Sequence, residues 1–177
     1  SPHFELWIRL LTVKLERLAV TTETMCAGMT LRHFFEEAVR SNVPGLPFVD
    51  DTNRITGRVS VRDVFKHIAI PPSVVALAGA VGDQTDRLDM SEKKILKALA
   101  SPVEKFVLDN VPAVSPHSSL VKALAIMEAY NTHYIFLVEN HEYVGVVTRM
   151  VIAERMLEVL HAIERDNVEL PDDGNDS

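Results

Sequence analysis

LPFVDDTNRITGRVSVRD, running from Leu46 to Asp63, decides the fold of this chain. An apolar run (Leu46, Pro47, Phe48, Val49) meets a polar turn at Asp50–Arg54, and a second apolar run follows around Gly57. Asp, Thr and Asn in the turn supply local side-chain to backbone bonds, so the stretch predicts strands over Leu46–Val49 and Ile55–Val59 joined as a hairpin. Ser60-x-x-Asp63 then opens a helix predicted to run to about Ala69, where Pro71 and Pro72 end it.

Upstream, Thr22–Cys26 is a short β-leaning piece. Thr30 can cap a helix through Leu31, Phe34, Phe35, Ala38 and Val39, and Asn42–Gly45 breaks that helix. Residues 3–18 carry Phe4, Trp7, Ile8, Leu11, Leu15 and Leu18 at helical spacing, which predicts one amphipathic helix over the whole span. Its apolar face is available to its own domain, to a second subunit or to a partner. Downstream, residues 71–101 read as an inter-repeat segment: an apolar stretch at 74–81, a polar loop at 82–89, and a helix through Ile95, Leu96 and Leu99 that Ser91 can cap.

From Pro102 the first pattern returns. Leu31 matches Leu120, Phe35 matches Leu124, Asn42 matches Asn131 and Val49 matches Val138, each pair 89 residues apart. After the turn, Gly57 matches Gly145 and Ser60 matches Thr148, each 88 apart. An offset that changes only inside a surface turn is the mark of an internal duplication. Each repeat reads β-α-β-β-α, and neither sheet has enough apolar partners alone. Two copies packed by pseudo-twofold symmetry bury both. The expected divisions are an N-terminal helix over 1–18, repeats over 19–70 and 102–165, the helical segment 71–101 between them, and an acidic disordered tail over 166–177. A final helix is expected over about Arg149–Arg165, with Ile152, Met156, Val159, Leu160 and Ile163 as its apolar face.

Composition narrows the function classes. Hydrophobic residues make up 47% of the 177, enough for a core, and no run of about 18 apolar residues suggests a membrane span. The net charge of −7 disfavours nucleic acid, although a local basic pocket is compatible with it. Cys26 is the single cysteine, so no disulfide framework exists, consistent with a cytoplasmic setting. The missing initial Met reads as a fragment or a processed chain. The histidines other than His133 (His3, His33, His67, His117, His141, His161) have no metal-ligand spacing, and no Ser/His/Asp arrangement or glycine-rich phosphate loop suggests an enzyme.

Met29-Thr30-Leu31, LPFVDD and GRVSVRD in the first repeat, with VPAVSPHSSL, YIFLVEN and GVVTRMV in the second, resemble the cystathionine-β-synthase (CBS) domain pair, also called a Bateman module. The resemblance covers roughly residues 15–160, with an inter-repeat segment longer than usual. It implies an α/β fold of tandem CBS repeats and a regulatory rather than enzymatic role. It also implies an adenine nucleotide (AMP, ADP, ATP) or S-adenosylmethionine as ligand between repeats, a disc-like homodimer, and a controlled enzyme, channel or transporter, attached or separate. No cofactor beyond such a regulatory nucleotide is implied.

The resemblance places the ribose on Asp63, beside Ser60. An ionised carboxylate is acceptor-only, with two oxygens for two hydroxyl donors, at roughly 1.5–3 kcal/mol per charge-assisted bond. The same Ser-x-x-acid pattern is also an ordinary capping box. By the same resemblance adenine lies against Arg58, Val111 and Pro112, and the phosphates meet His133, Tyr134 and Arg149 from the other repeat. As plain residues, His133 reads equally as a surface or capping histidine, Arg149 as a solvated first-turn charge, and Val111 and Pro112 as core. The second cleft keeps Thr148 but has Val151 where the acid would stand, and only uncharged Pro44 and Gly45 for phosphates. One good nucleotide site and one degraded site are expected. The competing expectation is a dimerisation or partner-docking module whose clefts bind nothing.

Overall fold

The computed structural model describes residues 1–68 and 92–169. The expected Ser91 cap, the 74–81 and 82–89 segments and residues 170–177 of the expected 166–177 tail lie outside the described residues, whereas residues 166–169, expected to be disordered, continue the final helix.

Turn and cap chemistry set the elements much as the repeat predicts. In the first repeat, α2 (Leu31–Ser41) starts at Thr30, whose Oγ1 accepts the His33 N–H at 3.3 Å, and ends at Asn42 in the left-handed region, φ 53°. Asn tolerates that conformation better than most residues. The hairpin follows as β1 (Gly45–Val49) and β2 (Ile55–Ser60), then α3 (Val61–Ile68). After α4 (Glu92–Leu99) the second repeat opens with a 3-10 turn (Val103–Phe106). It comprises β3 (Ala113–Val114), α5 (Leu120–Ala129), β4 (Tyr134–Glu139), β5 (Glu142–Thr148) and α6 (Arg149–Glu169). Its caps repeat those of the first: Ser119 Oγ accepts the Lys122 N–H at 3.1 Å, and Asn131 has φ 52°.

The two sheets exchange edges. β1 pairs antiparallel with β2, with Met25 bridging parallel to Phe48 on one side and Leu108 bridging antiparallel to Arg58 on the other. In the second repeat β3 pairs parallel with β4, β4 antiparallel with β5, and Val20 bridges Val146. Leu108 belongs to the second repeat yet closes the first sheet, and Val20 belongs to the first repeat yet closes the second. Both hairpins break register at equivalent places, Phe48/Val49 and Leu137/Val138. The duplication read in the sequence is therefore present in the strand pairing.

Alternation along β4 explains why it reads as an unbroken apolar run. Tyr134 and Phe136 face a core shared with Leu46, Val59 and Phe34 of the first repeat, while Ile135 and Leu137 face Leu120, Ala123 and Met127 under the second repeat's own helices. Successive strand residues point to opposite faces, and both faces here are covered.

The N-terminal span differs from expectation. One helix over 3–18 is predicted, but α1 covers Pro2–Leu11 and a separate 3-10 turn covers Leu15–Arg17. Thr12 ends α1, its Oγ1 donating back to the Ile8 carbonyl at 2.8 Å. The break swings Leu15 and Leu18 inward, where with Leu10 they pack into the second repeat's core. Apolar spacing alone did not show this, because the same leucines satisfy a helical stripe and a turned one.

Glu37 illustrates how α2 is tied down. Its buried carboxylate accepts bonds from Arg40 Nε at 2.8 Å, Ser41 Oγ at 2.7 Å and the Glu23 N–H at 3.1 Å. Chiefly the Arg40 bond, opposed by burial and aided by Ser41, holds its pKa down at about 2 against an ordinary 4.5. A depressed folded-state pKa contributes stability that is full above about 4.5 and is lost as pH falls towards 2. Urea unfolding measured from pH 6 to pH 2 should therefore show a steeper acid-side loss in the natural chain than in Glu37→Gln. Identical slopes would contradict this role.

Candidate functional site

The junction of β2 and α3 builds the site. Ser60 Oγ accepts the Asp63 N–H at 3.1 Å and donates to Asp63 Oδ2 at 2.5 Å. One hydroxyl thus caps the helix and orients the carboxylate, which sits in the first turn where the helix dipole favours negative charge. No hydrogen bond to Asp63 Oδ1 is present among the described residues, and Asp63 lines a cavity of about 130 Å³. At the equivalent junction of β5 and α6, Thr148 Oγ1 accepts the Val151 N–H at 3.1 Å. The cap is preserved there and the carboxylate is absent.

Arg58 and Tyr134 occupy the inner part of the Asp63 cleft. Arg58 is buried, donating from Nε to the Asn110 carbonyl at 2.8 Å, from one terminal nitrogen to Asn110 Oδ1 at 3.3 Å, and from the other to the Tyr134 hydroxyl at 2.5 Å. Its guanidinium also stands 5.7 Å from the Tyr134 ring centre. Burial pushes the Tyr134 phenol above its ordinary value, against the opposing pull of Arg58. The ring lies directly over Gly45, where a Cβ would come within 2.7 Å of Tyr134 Cε2. Gly45 and Tyr134 are equivalent positions, 89 residues apart. A small residue in one repeat makes room for a large one in the other.

Arg58, Ser60, Asp63, His133 and Tyr134 therefore meet in one cavity, as the sequence suggests, joined by Pro44. Arg58 and Tyr134, however, bond to each other and fill space in which a ligand was expected. Three further residues stand elsewhere. Arg149 donates to Glu128 Oε2 at 2.9 Å and lies towards the Thr132 carbonyl at 3.4 Å, lining the neighbouring groove. Pro112 is buried with its carbonyl accepting the Phe136 N–H at 2.9 Å, and Val111 packs against the first core. Of the residues assigned to the weaker cleft, Gly45 sits under Tyr134, Pro44 lines both cavities, and buried Thr148 caps α6 and lines the neighbouring groove. Asn110 and Thr132 were missed. The sequence signal for Thr132 was its place beside His133. Asn110 carries none, because its role depends on the edge exchange that brings Leu108 to Arg58.

The neighbouring groove has a volume of about 630 Å³ and is mainly apolar, with Phe35, Val39, Phe65 and Met150 around His133 and Arg149. Val39 is 78% exposed and Met150 66%, although both are large apolar side chains. Among the described residues no helix is long and apolar enough to cross a membrane, and no group of three or more His, Cys, Asp or Glu is placed to hold a metal ion.

Comparison with curated proteins finds no match. Among solved structures, the chain is similar to a CBS domain-containing protein from Bacillus anthracis, with 17% identity, a TM-score of 0.59 and 86% of this chain and 98% of that one covered. The CBS domain of a CBS domain-containing membrane protein from Sphaerobacter thermophilus gives 15% identity, a TM-score of 0.61 and coverage of 86% and 93%. A CBS domain-containing protein from Kribbella flavida gives 19%, 0.55, and 80% and 97%. At these identities the likeness concerns the fold. The CBS domain family model matches residues 20–70 and 103–158, the two segments that contain the equivalent hairpins. With both halves of the duplication matched in order, and more than half of its residues covered, the chain belongs to the CBS domain family.

Proposed function

We propose that this CBS pair is a regulatory, non-catalytic module that binds an adenine nucleotide in the Asp63 cleft and passes the resulting change of shape to an attached or separate partner in the cytoplasm. The observation that carries the reading is Asp63. Its carboxylate is fixed by Ser60 through Oδ2 and lines the cavity, where it can accept from ribose hydroxyls. The cavity of about 130 Å³ is smaller than the roughly 300–1,000 Å³ of typical ligand pockets. Entry of a nucleotide therefore requires the Arg58–Tyr134 pair to swing aside. Phosphates reaching His133 would compete with Glu128 for Arg149, loosening α5 from α6. A ligand shifts an equilibrium only through its different affinity for the two states, and this exchange of partners supplies such a difference.

The filled cleft and Val151 favour a second reading, a docking or dimerisation module without ligand. Thermal unfolding with AMP, ADP or ATP separates the two. At 100 times its dissociation constant a ligand stabilises by about 2.7 kcal/mol, raising Tm by about 5–10 °C for a chain of this size. No shift with any of the three at millimolar concentration would leave the second reading.

In both readings the pair is a homodimer, in which a second copy covers the groove flanked by Val39 and Met150. Light scattering at tens of micromolar should give twice 19.7 kDa, and a Val39→Lys, Met150→Lys variant should give the monomer mass. A monomeric natural chain would contradict the arrangement.

A further inference from the structure

Five cations gather on the far side of the second repeat in a chain whose net charge is −7. Arg9 from α1, Lys14 and Arg17 from the turn after it, and Arg155 and Arg165 from α6 line a cleft of about 700 Å³. Glu158 is the one acid in its lining, and it bonds Arg155 at 3.0 Å. Arg9 faces Glu5 at 2.7 Å and Asp166 at 3.7 Å. The side chains of Lys14, Arg17 and Arg165 have neither an ion pair nor a hydrogen bond among the described residues. None of these residues lines the Asp63 cavity or the apolar groove.

We infer that this cleft binds a small molecule carrying a chain of phosphates. Like charges concentrated in a concave site raise the local potential and draw an anion of opposite sign. Four of the five cations are guanidiniums, whose planar forks bond phosphate oxygens in pairs. Three of the cations have no ion-pair partner within 4 Å among the described residues, although Glu154 lines an adjoining cavity with Arg17, and this matches a ligand with several negative charges rather than a single phosphate. Arg155 and Arg165 stand about 15 Å apart along α6 at 1.5 Å per residue, so the charges are spread as an extended phosphate chain would need. The volume falls within the range of small-molecule pockets. The cluster is not a by-product of the duplication: the position equivalent to Arg155 holds His67, whose ring packs edge-on against Phe106 at 6.4 Å. It also owes its existence to the break after Thr12, which places Lys14 and Arg17 across from α6.

The inference is independent of nucleotide binding at Asp63, and its test keeps the two apart. Inorganic tripolyphosphate is titrated calorimetrically into the full chain at 0.15 M salt, with the fluorescence of Trp7, the single tryptophan, as a second signal from α1. One-to-one binding is expected, weakened about tenfold or more in Arg17→Gln, Arg165→Gln and unchanged in His133→Ala. Glu158→Gln should tighten binding, a gain that misfolding cannot produce. ATP titrated into Asp63→Ala identifies the source: affinity equal to that of tripolyphosphate indicates a nucleotide's phosphate chain, and much weaker affinity a free polyphosphate. Absence of binding at this salt, equal binding in the double variant, or a loss confined to His133→Ala would overturn the inference.

Discussion

Tyr134→Ala should lower stability by about 3–5 kcal/mol, the range for deleting a buried aromatic ring, and reduce Tm by roughly 6–20 °C. The ring is buried between the repeats, its hydroxyl is a hydrogen-bond acceptor for Arg58, and it covers Gly45. The informative measurement is a double-mutant cycle with Gly45→Ala. In the natural chain that substitution drives a methyl into Tyr134 Cζ, Cε2 and the hydroxyl, an overpacking cost of about 1–3 kcal/mol. With Tyr134 removed the clash disappears. Because Gly45 sits in a strand without a positive φ, alanine there becomes neutral or stabilising by about 0.4–1 kcal/mol through the unfolded state. A coupling of 1 kcal/mol or more, read from urea midpoints, is expected. Additive effects would show that the two residues do not share the junction. The same cycle bears on ligand entry: if the Arg58–Tyr134 pair must leave for a nucleotide to bind, Tyr134→Ala raises apparent affinity, since the binding-competent fraction grows.

Asp63→Ala carries the other large effect. Should the carboxylate hold both ribose hydroxyls, its loss removes two charge-assisted bonds of about 1.5–3 kcal/mol each, or about a hundredfold or more in affinity. Folding should change little, because Ser60 Oγ still accepts the residue-63 N–H. Thr148→Ala gives the mirror image. It removes the α6 cap, costing about 0.5–2 kcal/mol of stability, and leaves nucleotide affinity within about threefold, because Val151 offers that cleft no carboxylate. Calorimetric titration of both variants decides the matter, and equal losses of affinity would remove the one-good-site assignment.

Much of the fold was legible before any coordinates. Thr30 with Asn42, Ser119 with Asn131, and Ser60 with Thr148 are caps and stops whose chemistry is local, so residue type alone marks the helix ends. The constant offset of 89, falling to 88 beyond the turn, fixed the duplication because equivalent caps and bulges recur at equivalent places. The break within 3–18 is not legible, because helical periodicity does not reveal it when leucines on either side both turn inward. The placements of Arg58 and Arg149 were not readable either. Each is decided by partners far along the chain, Asn110 and Tyr134 for the first and Glu128 for the second.

By itself, then, the sequence determined the repeat, its element order, and the single carboxylate at Asp63, because these depend on residue type and spacing within a few positions. Only the tertiary structure decided that Tyr134 lies over Gly45, that Arg58 is buried beside it, and that Arg9 and Arg17 face Arg155 and Arg165 across one cleft. Those juxtapositions arise from two repeats exchanging sheet edges and from a helix broken after Thr12. Contacts between residues so distant in sequence depend on the whole packing of the chain, which no local pattern encodes.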